Sequence, residues 1–318
     1  MDAKNLIINN LDIMRRGDEI RGEKFSALAY VKAIKALNAI SGPITSVEDV
    51  KGIKGIGAKI TAKIAEILET GSLAAAERTK SELNLDIYSA LLKIHGVGPV
   101  KAKELVKTHG ITSIADLRAK QELLNDVQKL GLKYYEDINE RIPREEMLLH
   151  EILLKKLLPA KCSGDIVGSF RRKAVTSGDI DMLLRLDQPK KQFKEYIAAL
   201  QTAGYLKDCL AVGVKKCMAV VALPNGKARR LDLLVTPPEE YACSLLYFTG
   251  SDTFNVAFRA HCTTKGYTLN EHALTPLNES VEKPPSFQTE QQLFQFVGLQ
   301  FVAPELRSSA TVSILPPS

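Results

Sequence analysis

Asp179 and Asp181 stand two apart in the run Ser177-Gly178-Asp179-Ile180-Asp181-Met182-Leu183-Leu184. Side chains on a strand alternate faces, so this spacing predicts both carboxylates on one side, with Ile180 and Met182 directed into a core. Adjacent carboxylates repel each other and are costly unless a divalent cation neutralises them. Mg²⁺ suits the task because it prefers oxygen ligands and keeps waters and phosphates in its shell. A third acid, Asp232, interrupts the apolar residues Leu231, Leu233 and Leu234. A lone strand aspartate can simply face water at an edge. Beside an Asp-x-Asp strand it becomes a third ligand for two ions about 3.5–4 Å apart, which serve both oxygens of an in-line phosphoryl displacement. Upstream, Gly168-Ser169 supplies a small backbone corner and a hydroxyl with Arg172 near, a set suited to a triphosphate.

These acids need strands to hold them. Residues 217–223, the turn Pro224-Asn225-Gly226 and residues 229–235 read as a β-hairpin, with Asn-Gly as its turn signal and Asp232 on its second arm. The first half of the chain is different. Ile53-Lys54-Gly55-Ile56-Gly57 recurs as Ile94-His95-Gly96-Val97-Gly98, and each copy leads into a helical stretch, residues 58–69 and 99–107. Glycine allows a positive φ in the turn and a close backbone approach, and the amides that open the next helix can bind a phosphate oxygen. The turn carbonyls can also converge on a monovalent cation. Lys51, Lys54, Lys59 and Lys63 surround the first copy without an intervening acid, and four lysines with one glutamate surround the second. Such patches attract polyanions. Lys59 and Lys63 lie one helical turn apart. Either a neighbouring cation primes one of them as a Schiff-base nucleophile, or both simply bind phosphate.

Composition narrows the class. The 318 residues carry 43 Lys+Arg against 37 Asp+Glu, and 45% are hydrophobic, which is ordinary globular composition. There is no run of about 18 apolar residues to span a bilayer, and residues 1–10 lack the layout of a secretory signal. Five cysteines, Cys162, Cys209, Cys217, Cys243 and Cys262, form no CxxC pair. Their odd number argues against a disulfide framework, and five scattered histidines argue against structural zinc. A soluble protein of a reducing compartment is expected.

The Gly-Ser…Asp-x-Asp…Asp order is the nucleotidyltransferase pattern, and the chain resembles the DNA polymerase X family, in particular its beta-like members. The resemblance rests on Arg141-Ile-Pro-Arg-Glu-Glu-Met147, Gly168-Ser-Phe-Arg-Arg172, Ser177-Gly-Asp-Ile-Asp181, Tyr247-Phe-Thr-Gly-Ser-Asp-Thr-Phe-Asn255, Arg259-Ala-His261 and Lys265-Gly-Tyr-Thr-Leu-Asn-Glu271. The glycine turns look like the helix-hairpin-helix motif. The resemblance implies a multi-domain α+β fold: a helical lyase-like domain over residues 1–82, a helical DNA-binding subdomain over 83–143, a palm with a mixed sheet over 144–238 and a small α/β nucleotide-selection subdomain over 239–318. It implies a template-directed, gap-filling DNA polymerase with an attached 5′-deoxyribose phosphate lyase, acting in base excision repair. A template-independent nucleotidyltransferase, a polymerase lacking the lyase and a non-catalytic DNA-binding scaffold are the alternatives.

On the same resemblance Asp179, Asp181 and Asp232 hold two Mg²⁺ ions, with Mn²⁺ as a substitute, and Asp232 takes or positions the primer hydroxyl. Arg141, Ser169, Arg172 and Gly178 meet the triphosphate. Tyr247, Phe248 and Gly250 wall the sugar, selecting deoxynucleotides, while Asp252 and Asn255 meet the base. Arg259 reaches the template minor groove, and Arg230 also contacts DNA. Lys63 falls at the lyase nucleophile, Lys59 at the 5′ phosphate and Tyr30 beside that pocket. Gly55, Gly57, Gly96 and Gly98 form the DNA-backbone turns. Na⁺ or K⁺ would sit on the carbonyls of Lys51, Ile53 and Ile56 and of Leu92, Ile94 and Val97. Expected partners are gapped or nicked double-stranded DNA, a dNTP and repair proteins, with no membrane, for a monomer in the nucleus, a mitochondrion or a viral replication compartment. Two departures stand out. Phe25 and Ser26 replace a His-Lys pair of the family's basic pocket, although Lys24 can reach in. Leu234 stands where beta-like members carry an arginine that engages the neighbouring aspartate, so switching through that contact is expected to be absent.

Overall fold

A computed structural model describes residues 2–40 and 42–307, so residues 308–318 of the expected fourth part lie outside the described residues. The chain forms two compact units, residues 1–132 and 133–318.

The first unit is helical: α1 (Ala3–Arg21), α2 (Lys24–Asn38), α3 (Ala58–Thr70), α4 (Ala74–Glu82), α5 (Leu85–Leu91), α6 (Pro99–Lys107), α7 (Ile114–Ala119) and α8 (Asp126–Lys133). Ile60, Ile64 and Ile67 line the buried stripe of α3, as their helical spacing predicts. They join Ile7 and Leu11 of α1, Leu37 of α2 and Leu73 in one core. The two glycine repeats fold alike. Ile56 N–H donates to Ile53 O, and Val97 N–H to Ile94 O, both at 3.0 Å. Gly55 (φ 102°) and Gly96 (φ 82°) supply the left-handed turn residue. Gly57 and Gly98 then cap α3 and α6 in extended conformation, with ψ of 174° and 177°.

The second unit opens with α9 (Tyr135–Asn139), β1 (Ile142–Pro143), α10 (Arg144–Lys156), β2 (Ser163–Ile166), α11 (Gly168–Arg171), β3 (Thr176–Ser177) and β4 (Ile180–Arg185). It continues with α12 (Pro189–Thr202), β5 (Leu206–Val212), β6 (Lys216–Val221), β7 (Arg229–Thr236), α13 (Tyr241–Thr249), α14 (Asp252–Thr264), β8 (Tyr267–Leu269), β9 (Leu274–Pro276) and α15 (Glu290–Phe296). Its main sheet runs β2-β4-β7-β6-β5. Only β4 and β7 pair in parallel, and every other neighbour is antiparallel. The hairpin read from Asn225-Gly226 is therefore β6–β7. Ile180, Met182, Leu231 and Leu233 are fully buried in the core between this sheet and α10 and α12. A separate core of Phe254, Phe258, Leu293 and Phe294 lies under α13, α14 and α15.

No described helix is long and apolar enough to cross a membrane.

Candidate active site

The parallel register sets Asp181 on β4 directly beside Asp232 on β7. Asp179 precedes β4 in a bend. Asp232 is 7% exposed, and its Oδ1 is buried with no hydrogen-bond partner. The Asp181 carboxyl is pushed up to about 6, first by burial and then by the Asp232 charge, with Lys216 opposing. Lys216 Nζ stands 3.3 Å from Asp232 Oδ2. Arg230 is bonded to the Asp179 carboxylate, and its Nε lies 3.8 Å from Asp232 Oδ1.

Among the described residues no three His, Cys, Asp or Glu side chains gather closely enough to hold a metal ion. Asp179 is held by Arg230, while Asp181 and Asp232 are register partners on adjacent strands. The donor set nevertheless fits a hard divalent cation. It is all carboxylate oxygen, Asp232 Oδ1 is buried without a hydrogen-bond partner, and burial together with the Asp232 charge raises the cost of ionising Asp181.

Asp181 opens onto a cavity of about 600 Å³ lined also by Gly168, Arg172, Tyr247, Phe248, Gly250, Asp252, Asn255 and Arg259. Eight of the expected nucleotide and template residues and ligands thus meet in one pocket; Ser251, Thr253 and Val256, to which no role was assigned from the sequence, also line it. Gly168 is required twice over, since its φ is +61° and an added Cβ would come within 3.1 Å of Asp181 Oδ2. Arg172 donates to Thr249 O at 2.5 Å, and burial lowers its pKa, with Asp252 opposing. Asn255 Nδ2 donates to Tyr247 O at 2.7 Å, which leaves Asn255 Oδ1 buried and unpaired. The Tyr247 and Phe248 rings meet edge to face, 5.3 Å apart.

Three expected triphosphate contacts sit outside that lining. Ser169 Oγ donates to Ser177 Oγ at 3.1 Å. Arg141 donates to Thr176 Oγ1 (2.8 Å) and Thr176 O (2.6 Å), which brings its guanidinium next to Gly178.

A buried ionic chain backs the pocket and was not anticipated. Glu290, 4% exposed, accepts from Arg307 at 2.6 Å and from Arg171 at 2.8 Å. Arg171 also donates to Thr249 Oγ1 at 2.7 Å. Arg307 is fully buried and stacks 5.4 Å from the rings of Phe254, Phe294 and Phe301. Two consecutive arginines at the end of α11 therefore both fasten to the C-terminal end of α13. The Arg171-Arg172 string was the available signal, but its partners lie far along the chain, Thr249 at 77 and 78 residues and Glu290 at 119.

In the first unit Tyr30 is buried and its hydroxyl pKa is raised, first by burial and then by the Asp18 charge. Ser26 donates to Asp18, which also accepts from Arg21 at 3.1 Å. The position of the family's lysine thus carries a hydroxyl tied to a buried acid. Phe25 is 92% exposed, and Lys24 and Lys59 are exposed while Lys63 is half-buried. A Cβ on Gly57 or Gly98 would meet nothing within 4 Å, so both helix starts are open to a ligand.

Family models cover most of the chain. Residues 2–73 match a helix-hairpin-helix domain, 89–139 the fingers domain of DNA polymerase lambda, 141–238 the DNA polymerase beta palm and 244–308 the DNA polymerase beta thumb. DNA polymerase lambda of Rattus norvegicus is 33% identical over 95% of this chain, and that of Arabidopsis thaliana 30% identical over 90%. The chain belongs to the DNA polymerase X family. It spans 56% and 59% of the length of these two relatives. The DNA nucleotidylexotransferase of Xenopus laevis is 26% identical over 97% of the chain and 69% of the relative. Within this X-family chain the palm match contains all three candidate acids, and the thumb match contains the C-terminal part of α13 from residue 244 and all of α14, which wall the pocket.

Proposed function

We propose that the chain is a template-directed DNA polymerase that fills short gaps by transferring a nucleotidyl group from a dNTP to a primer 3′-hydroxyl. The observation that carries this reading is the parallel pairing of Asp181 with Asp232 at a pocket that also holds Arg172, Tyr247, Phe248, Asp252 and Asn255. Asp179, Asp181 and Asp232 would hold two Mg²⁺ ions, which when bound would acidify the primer hydroxyl and neutralise the triphosphate. Asp232, whose Oδ1 has no hydrogen-bond partner, accepts the primer hydroxyl proton or positions that oxygen. Arg172, with Ser169, Arg141 and Gly178, steadies the phosphates. The Tyr247–Phe248 edge excludes a 2′-hydroxyl, and Asp252, Asn255 and Arg259 orient the incoming base and its template.

Division of labour follows the four parts given above. The first unit supplies the lyase, with Lys63 as the Schiff-base nucleophile and Lys59 on the 5′ phosphate, and its two open glycine-capped helix starts grip the DNA backbone. The turn carbonyls of Lys51, Ile53 and Ile56 and of Leu92, Ile94 and Val97 hold Na⁺ or K⁺. Base excision repair by a monomer is the fitting context.

A one-nucleotide gapped duplex tests the polymerase. Asp232→Ala should abolish addition of the templated nucleotide, and full retained activity would refute the assignment. The likeness to a nucleotidylexotransferase favours a second reading, untemplated addition, which extension of a single-stranded primer would reveal. Borohydride should trap a covalent adduct on a pre-incised abasic substrate. Lys63→Ala should lose most of it, and undiminished trapping would move the nucleophile elsewhere.

A further inference from the structure

Two cations of the chain itself already occupy the acids. Residues 230, 232 and 234 share one face of β7, and the antiparallel register sets Lys216 of β6 opposite Leu234 and Met218 opposite Asp232. Leu234 is uncharged, so from its cross-strand position Lys216 is free to reach one residue pair back, to Asp232. Its backbone is held in the turn from β5, where Gly213 N–H donates to Lys216 O at 2.7 Å. Its side chain remains 49% exposed, against 10% for Asp232. The cation can therefore leave while the carboxylate cannot. A divalent ion that takes Asp232 Oδ2 must displace this ammonium. Of the anions in the reaction, a DNA phosphate can receive it before any nucleotide is present, whereas the triphosphate arrives only with the dNTP.

We propose that Lys216 is a positioning residue that holds the Asp232 carboxylate in the DNA-free protein and transfers to a DNA phosphate on binding, so that DNA binding and divalent-metal binding are thermodynamically linked. The inference rests on the metal-dependent polymerase reading above. Linkage is reciprocal: DNA tightens the metal by the factor by which metal tightens DNA. Arg230 on Asp179 acts in the same sense from β7's own strand, but Lys216 isolates the effect because it touches Asp232 alone among the acids in the structure's ion pairs.

The test uses the whole chain and Mn²⁺ at low ionic strength, with free Mn²⁺ read by electron paramagnetic resonance. Gapped DNA with a dideoxy-terminated primer is present or absent, so no turnover occurs. Without DNA, Lys216→Met should bind Mn²⁺ about tenfold more tightly than wild type, the scale of one partly screened charge interaction. The gain that DNA confers should shrink by a similar factor, and Lys216→Arg should restore both. Equal Mn²⁺ affinity of wild type and Lys216→Met without DNA, or an undiminished gain with DNA, overturns the inference while leaving the polymerase reading intact. If wild type binds no Mn²⁺ even with DNA and nucleotide, the assignment of the acids as ligands fails, and this inference with it.

Discussion

Removing the charge of Glu290 should loosen the second unit more than any surface change. Glu290→Gln keeps the side-chain shape but leaves the fully buried Arg307 and the largely buried Arg171 without a counter-charge. Breaking a buried pair in this way costs about 3–5 kcal/mol, because one charge stays in the interior uncompensated. For a unit of this size each kcal/mol moves the melting temperature about 2–4 °C, so a fall of about 6–20 °C is expected in its transition. Differential scanning calorimetry of the whole chain gives the readout. Replacing both partners, Glu290→Leu with Arg307→Met, should cost less than Glu290→Leu alone, since apolar side chains can fill the space between Phe254, Phe294 and Phe301. Because Arg171 and Arg172 both anchor on Thr249, dNTP affinity should weaken in the same variant. A melt within about 2 °C of wild type would refute the reasoning, for the ionic chain would then hold nothing together.

Gly131→Ala should damage the first unit, because the new Cβ would lie 2.6 Å from His95 O and 2.8 Å from His95 N. Those are backbone atoms of the second glycine turn, so α8 must move away from it at a cost of about 1–3 kcal/mol, seen as a lower urea midpoint. An unchanged midpoint would show that the contact relaxes freely. His150 supplies a pH dependence. It is fully buried, bonded to Tyr205 at 2.7 Å and near Glu146. Burial depresses its pKa below 6.5, assisted by Arg229 and opposed by Glu146. The unfolded chain then takes up a proton that the folded chain refuses, so this contribution is complete above pH 6.5 and is lost as pH falls below it. Urea midpoints of wild type should drop between pH 7.5 and 5.5 more steeply than those of His150→Gln, and equal slopes would remove His150 from the account.

Local periodicity made several elements legible in advance. The stripe of Ile60, Ile64 and Ile67, the proline-started α6 and the Asn225-Gly226 hairpin each follow from rules that operate within a dozen residues. The glycine repeats were readable for the same reason, since a left-handed turn residue leaves a mark at a fixed position. The acids and the Gly168–Arg172 corner were legible from type and spacing, but the wall of Tyr247, Phe248 and Asn255 was legible only through the family resemblance, because helix packing brings Asn255 to Asp181 across more than 70 residues of chain. Long-range ion pairs were not legible at all. Nothing near Glu290 announces Arg171 and Arg307, and nothing near Asp232 announces Lys216. The departure at Ser26 was visible as a missing base, but its consequence, a hydroxyl bound to buried Asp18, needed the fold of α1 against α2.

Strand order explains why the acids need cations before any substrate arrives. Had β4 and β7 been separated by another strand, Asp181 and Asp232 would lie roughly 10 Å apart and could ionise almost independently. Direct pairing in register instead makes them neighbours in a partly buried site, where burial first and the Asp232 charge second push the Asp181 pKa up to about 6. A site assembled this way is unfavourable when its charges are left alone, and that is the property that gives it affinity for divalent ions. The same property recruits whatever cation the surrounding strands can offer, here Arg230 from β7 and Lys216 from β6. Replacing Leu234 with arginine would therefore add a third local cation on the Asp232 face of β7. It should lower divalent affinity in the DNA-free chain rather than repair a missing contact.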